Sequence, residues 1–108
     1  MPIRLGEFEQ LVLLALIHLG NDAYGVTVRR EIARRTGRTT SFGTVYATLA
    51  RLEEKGLITS RLGDATPQRG GRRKKFFRIR AAGRLALSES LEVLRTMTRG
   101  LSPSLESP

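Results

Sequence analysis

SFGTVYATLARLEEKGLI, residues 41–58, places one helix between two pieces of punctuation. Ser41 offers a side-chain oxygen to the first turn, Phe42, Val45, Leu49 and Leu52 recur at three- and four-residue steps, and Gly56 ends the pattern where a strand begins. That stripe assigns Phe42, Val45, Leu49 and Leu52 to a core. Thr44, Ala47, Thr48 and Arg51 are then expected on the outward side, flanked by Gly43 and Tyr46. Such a face is small, polar and cationic, and a core has no use for it.

Working outward, the preceding stretch YGVTVRREIARRTG, residues 24–37, puts Val26, Ile32 and Ala33 near one face and Arg29, Arg30, Arg34 and Arg35 mostly on the other. It predicts a short helix capped at Gly37, with RTTS, residues 38–41, supplying Thr40 and Ser41 as cap candidates for the next. Further upstream, Phe8, Leu11, Val12, Ala15, Leu16 and Leu19 define a helix over residues 5–19, closed by GNDAYG at 20–25. Leu13, Leu14 and Ile17 make a second stripe on that helix, so two of its sides need cover. Downstream, LITSRL (57–62) and KFFRIR (75–80) alternate as strands around the turn-rich, basic GDATPQRGGRRK (63–74). A last helix follows at 81–101, with Leu87, Leu91, Leu94 and Leu101 at heptad-like steps, and SPSLESP (102–108) reads as a disordered tail.

The chain of 108 residues, 40% hydrophobic, is long enough for one domain with a modest core. Nineteen Lys and Arg against ten Asp and Glu give a net charge of +9, a balance that favours polyanionic partners. Without cysteine there is no disulfide framework or thiolate metal site. One histidine, His18, lies in an apolar helix; no paired acid–base motif, nucleophile elbow or P-loop is present, so no catalytic residue, metal or cofactor is expected. The longest apolar run, Leu11–Ile17, is far short of the roughly 20 residues that span a bilayer, and no basic leader precedes it. These features predict a cytoplasmic protein with no membrane partner.

Helix, helix, helix, strand, basic loop, strand is the order of a winged helix-turn-helix: mainly α with a small β-hairpin, here with an added C-terminal helix. In that arrangement the helix that runs from Phe42 up to Gly56 meets the major groove, where short side chains allow close approach, Thr and Ser bond phosphates or bases, and Arg reads guanine or grips phosphate. Arg69, Arg72, Arg73, Lys74, Lys75, Arg78, Arg80 and Arg84 follow with no acidic residue among them, and an anion relieves the repulsion within such a cluster. Arg29, Arg30, Arg34, Arg35 and Arg38 form a second cationic group, which either flanks the same duplex or pairs with Glu31 and solvent.

AYGVTVRREIARRTG, SFGTVYATLARLEEKGLI and GGRRKKFFRIRAAGRLAL together resemble the phenolic acid decarboxylase regulator (PadR) family of bacterial transcription factors over about residues 5–97. Its most specific pieces here are Tyr24-Gly25, Gly43-Thr44-Val45-Tyr46, Glu54-Lys55-Gly56-Leu57 and Ala82-Gly83; Ala47 stands where the family commonly has proline. The resemblance implies a dimeric winged-helix regulator, usually a repressor, on a pseudo-palindromic operator. It points to Ser41, Gly43, Thr44 and Tyr46 in the helix and to Arg72, Arg73, Lys74 and Lys75 in the wing as DNA-facing. It also implies dimerisation through the C-terminal helix.

The candidate DNA-binding set is therefore Thr40, Ser41, Gly43, Thr44, Tyr46, Ala47, Thr48, Arg51, Arg72, Arg73, Lys74 and Lys75. The candidate homodimer set is Leu13, Leu14, Ile17, Leu87, Leu91, Leu94, Met97 and Leu101, for which folding of the last helix back onto its own domain is the alternative. Three segments are expected: a winged helix-turn-helix at 1–80, a dimerisation helix at 81–101 and a tail at 102–108. Double-stranded DNA is the expected partner, with RNA or an acidic protein as the alternative; whether a small-molecule effector exists is left open.

Overall fold

The computed structural model describes residues 3–63 and 73–101; the hairpin tip, including Arg69 and Arg72, and the tail at 102–108 lie outside the described residues. The order is α1 (Glu7–Leu19), one 3-10 turn (Gly20–Asp22), α2 (Gly25–Thr36), α3 (Phe42–Glu54), β1 (Ile58–Leu62), β2 (Lys75–Ile79) and α4 (Ala81–Thr98).

Local chemistry sets the boundaries. α2 starts where the Tyr24 amide donates to Thr27 Oγ1 at 2.9 Å and stops at Gly37, whose amide donates to the Ala33 carbonyl at 2.8 Å. α3 starts where Thr44 N–H donates to Ser41 Oγ at 3.1 Å. It ends in a Schellman motif: the Gly56 amide bonds the Glu53 carbonyl at 2.9 Å and the Leu57 amide bonds the Leu52 carbonyl at 3.0 Å. Gly56 holds φ +77°, a left-handed conformation that costs a residue with a Cβ.

β1 and β2 pair antiparallel with Ile58 opposite Ile79 and Leu62 opposite Lys75. The other edge of β2 takes Ala23 and Tyr24: the Phe77 amide donates to the Ala23 carbonyl at 2.8 Å, and Tyr24 forms a bridge with Phe76. The hairpin is thereby fastened to the start of α2.

One core unites the three helices, the hairpin and the base of α4. Val12, Leu13, Leu16, Val28, Ile32, Val45, Leu49, Leu52, Leu57, Ile58, Phe77 and Leu87 are all buried there, each contributing about 1.5–3 kcal/mol if fully withdrawn from water. Two assignments of the apolar pattern are corrected. Val26 is exposed and its neighbours Thr27 and Val28 are buried instead, because the side of α2 that packs on α1 and α3 carries Val28 and Ile32, and Val26 falls outside it. Phe42 is 43% exposed, since the first position of α3 overhangs α2 and does not reach the core.

α4 leaves the hairpin on a close contact. A methyl group on Gly83 would stand 2.3 Å from the Leu57 carbonyl oxygen, so the helix backbone touches the chain just past the α3 cap. Ala86 and Leu87 seal it to the core, Leu91 is partly buried, and from there the helix is exposed.

Candidate nucleic-acid interface

α3 presents Ser41, Phe42, Gly43, Thr44, Tyr46, Ala47, Ala50 and Arg51 to solvent. Thr48 departs from expectation: it is 1% exposed and belongs to the interior side. Its hydroxyl can be buried because Oγ1 donates to the Thr44 carbonyl at 2.8 Å and accepts from Arg51 Nη2 at 3.3 Å. Thr48 thus supports Arg51 from below and is removed from the set of outward contacts.

Arg51 is also held from α1. Glu9, 7% exposed, accepts from Lys55 Nζ at 2.8 Å and from the Gly6 amide at 2.8 Å, and Arg51 Nε lies 3.8 Å from the same carboxylate. Burial pushes the Glu9 carboxyl up, but the bonds from Lys55 and the Gly6 amide and the charges of Lys55 and Arg51 outweigh it, leaving the pKa below its ordinary value. Nothing in the sequence pattern marked Glu9, whose main partner is 46 residues away.

The leading end of α3 carries a stack that sequence reasoning missed. The Arg29 guanidinium lies 4.5 Å from the Phe42 ring centroid, and Arg29 Nε donates to the Thr40 carbonyl oxygen. Phe42 and Tyr46 run at 28° with centroids 6.5 Å apart. The Tyr46 ring in turn covers Gly25, where a Cβ would come within 2.3 Å of Cζ and Oη.

Gly25 adjoins Tyr24, and there the base of the wing arrives. Lys74 Nζ lies 4.6 Å from the Tyr24 ring centroid and 3.4 Å from its hydroxyl. Tyr24 meets Phe76 edge-on at 5.3 Å, and the Arg61 guanidinium sits 4.8 Å over Phe76. Lys74 and Tyr46 are therefore linked through two adjacent residues, Tyr24 and Gly25. Arg73 is exposed beside them. Lys75 points to the other side of the hairpin, with Nζ 3.8 Å from Glu53 Oε1 on α3. Arg72 lies outside the described residues.

The second arginine group divides. Arg34 and Arg35 pair with Glu31, whose pKa is lowered chiefly by the bond from Arg35, and Arg38 Nη1 pairs with Glu7 Oε1 at 2.7 Å. Only Arg29 of these joins the α3 face through Phe42.

Of the residues expected at an interface between copies, Leu13 and Leu87 are corrected: both are buried inside the protomer, Leu13 by α1's packing within the bundle and Leu87 against the core. Leu14 and Leu91 are half-buried, whereas Ile17, Leu94, Met97 and Leu101 are exposed. The structure adds Leu85, Val93 and Ile3 to the exposed apolar residues. Ile3, Leu5, Val93 and Leu94 line an open groove of about 670 Å³ between the N-terminal arm and α4. Among the described residues no helix is long and apolar enough to cross a membrane, and no cluster of His, Asp or Glu is arranged to hold a metal.

Comparison with known proteins places this geometry. The transcriptional regulator PadR-like family matches residues 13–89. The transcriptional regulator Rv3488 of Mycobacterium tuberculosis is 36% identical over 98 residues, covering 86% of this chain and 85% of that protein. A protein of Lysinibacillus sphaericus is 39% identical over 86 residues, covering 78% and 74% of the two chains. Among solved structures, a PadR family regulator from Clostridium difficile R20291 superposes with a TM-score of 0.72 at 24% identity, covering 93% of this chain and 99% of that one. A transcriptional regulator from Clostridium thermocellum does so with a TM-score of 0.72 at 25% identity, covering 88% and 86%. A match that runs from the middle of α1 to the middle of α4, joined to a relative similar along most of its length, settles the family: the chain belongs to the PadR-like transcriptional regulators.

Proposed function

We propose that the protein is a sequence-specific binder of double-stranded DNA that acts as a homodimeric repressor. α3 enters the major groove, Arg73 and Lys74 at the base of the wing grip the adjacent backbone, and two copies joined through α4 address a pseudo-palindromic operator. Residues 1–80 form the reading unit and 81–101 the joining unit. The observation that carries this is the continuity of the surface from Ser41, Gly43, Thr44 and Ala47 on α3, across Tyr46 and Tyr24, to Lys74. Small side chains admit the helix to the groove while cations at its edge meet phosphate.

Exposure of Phe42 and Tyr46 favours a second reading, stacking on bases of single-stranded RNA. Against it, one side of Phe42 is taken by Arg29 and one side of Tyr46 lies on Gly25, so neither ring can be sandwiched between bases. Selection from a random duplex pool decides: a two-fold symmetric motif is expected, and placing it over a promoter lowers transcription of a reporter. Recovery of no motif, or equal retention of single-stranded RNA, overturns the proposal.

A further inference from the structure

Phe42 is the first residue of α3, and nearly half its surface is open to solvent. A lone exposed apolar side chain is ordinary and needs no function. This one is braced. Arg29 lies over its ring while tied to the Thr40 carbonyl oxygen, and Tyr46, seated on Gly25, runs nearly parallel to it. Its neighbours Ser41, Gly43 and Thr44 are too short to shield it, and the Ser41 and Thr44 hydroxyls face each other at 2.9 Å. The outcome is a fixed hydrocarbon edge at the leading end of the helix, beside the Arg29 guanidinium.

We infer that Phe42 is a specificity-determining residue that reads the C5-methyl group of a thymine in each half-site; this rests on the duplex-DNA function proposed above. In helix-turn-helix docking, the N-terminal residues of the second helix meet base edges. The major-groove edges of the bases offer donors, acceptors and one apolar feature, the thymine methyl. A phenyl ring pressed on a donor or acceptor leaves that group desolvated and unpaired, so only thymine rewards the contact. Thr44 and Ala47 also carry methyl groups within the same face and are the competing readers.

The test uses the selected operator with thymine replaced by deoxyuridine, one symmetric position at a time, which deletes the methyl group and leaves base pairing intact. The native protein is expected to lose about fourfold in affinity per half-site at one position, the worth of one buried methyl group. Phe42→Ala should bind the thymine and uracil duplexes equally there. Phe42→Gln, which keeps length without the apolar edge, should do the same if the alanine variant folds poorly. A uracil penalty that persists in both variants assigns the methyl to another residue and overturns the inference, as does a native protein indifferent to uracil at every position. A native protein that retains no duplex from the pool overturns the underlying DNA reading as well, and is distinguished by that lack of retention.

Discussion

The ring of Tyr46 lies against the backbone of Gly25, so close that a methyl group on Gly25 would stand 2.3 Å from Tyr46 Cζ and Oη. This contact joins the first residue of α2 to the exposed side of α3. Gly25→Ala is expected to swing the tyrosine outward while leaving the fold intact, because the atoms met are the far end of a side chain. Duplex affinity should fall, with a thermal midpoint within a few degrees of native, about 1 kcal/mol or less. In a Tyr46→Ala background the Gly25 substitution should have no further effect on affinity; additive losses would disconnect the two residues.

Arg73→Ala and Lys74→Ala should weaken binding to all duplexes alike. Deleting a cation that touches phosphate lowers the slope of log affinity against log salt by about 0.9. Measured slopes that stay at the native value would remove the wing base from the interface. Lys75→Ala is expected to have the smaller effect, since Lys75 faces Glu53.

Glu9 predicts a pH-dependent stability. Its native pKa is depressed, so its contribution is fully present above the unfolded carboxyl value of about 4.3 and is lost as pH falls through the lower native value. Glu9→Gln should cost about 1.5–3 kcal/mol at pH 7, the range for hydrogen bonds to a charged group. The gap between native and variant in urea titrations should close below the native pKa. A gap that stays constant however far the pH falls below the unfolded carboxyl value would show that the charge is immaterial.

α4 separates two kinds of leucine. Leu87→Ala, in the core, should destabilise the protomer by about 2–4 kcal/mol. Leu94→Asp, on the exposed stretch, should leave the protomer folded and convert the proposed dimer to monomer in sedimentation. A Leu94→Asp protein that still sediments as a dimer would place the contact between copies elsewhere.

The order of elements was legible because its boundaries are written in local chemistry: the Ser41 hydroxyl, Gly37 and Gly56 act within a few residues of where they stand. The sides of α3 were less legible. An apolar-in, polar-out rule places Phe42 inside and Thr48 outside, and both are reversed. Thr48 satisfies its hydroxyl on the helix's own carbonyl and can be buried without a distant partner, whereas Phe42 finds its neighbour in Arg29, a cation that a hydrophobic pattern does not count. Glu9 escaped for a related reason, as its bond from Lys55 and its ion pair with Arg51 exist only after α1 and α3 have docked. On the wing, the alternation of KFFRIR gave the correct inward residues, Phe77 and Ile79. It could not name the partners on the two sides, Glu53 for Lys75 and Tyr24 for Lys74.

Gly83 has a bearing on gearing. Because α4 grows from a point of backbone contact at Leu57, immediately beyond the cap of α3, there is no slack between the shaft that would carry a second copy and the blade that would enter the groove. In a two-fold pair joined along α4, the span between the two reading blades becomes a matter of where the shafts cross. Half-sites of duplex recur every 34–36 Å, about one helical turn, so a small rotation at that crossing would shift the pair in or out of step with the operator.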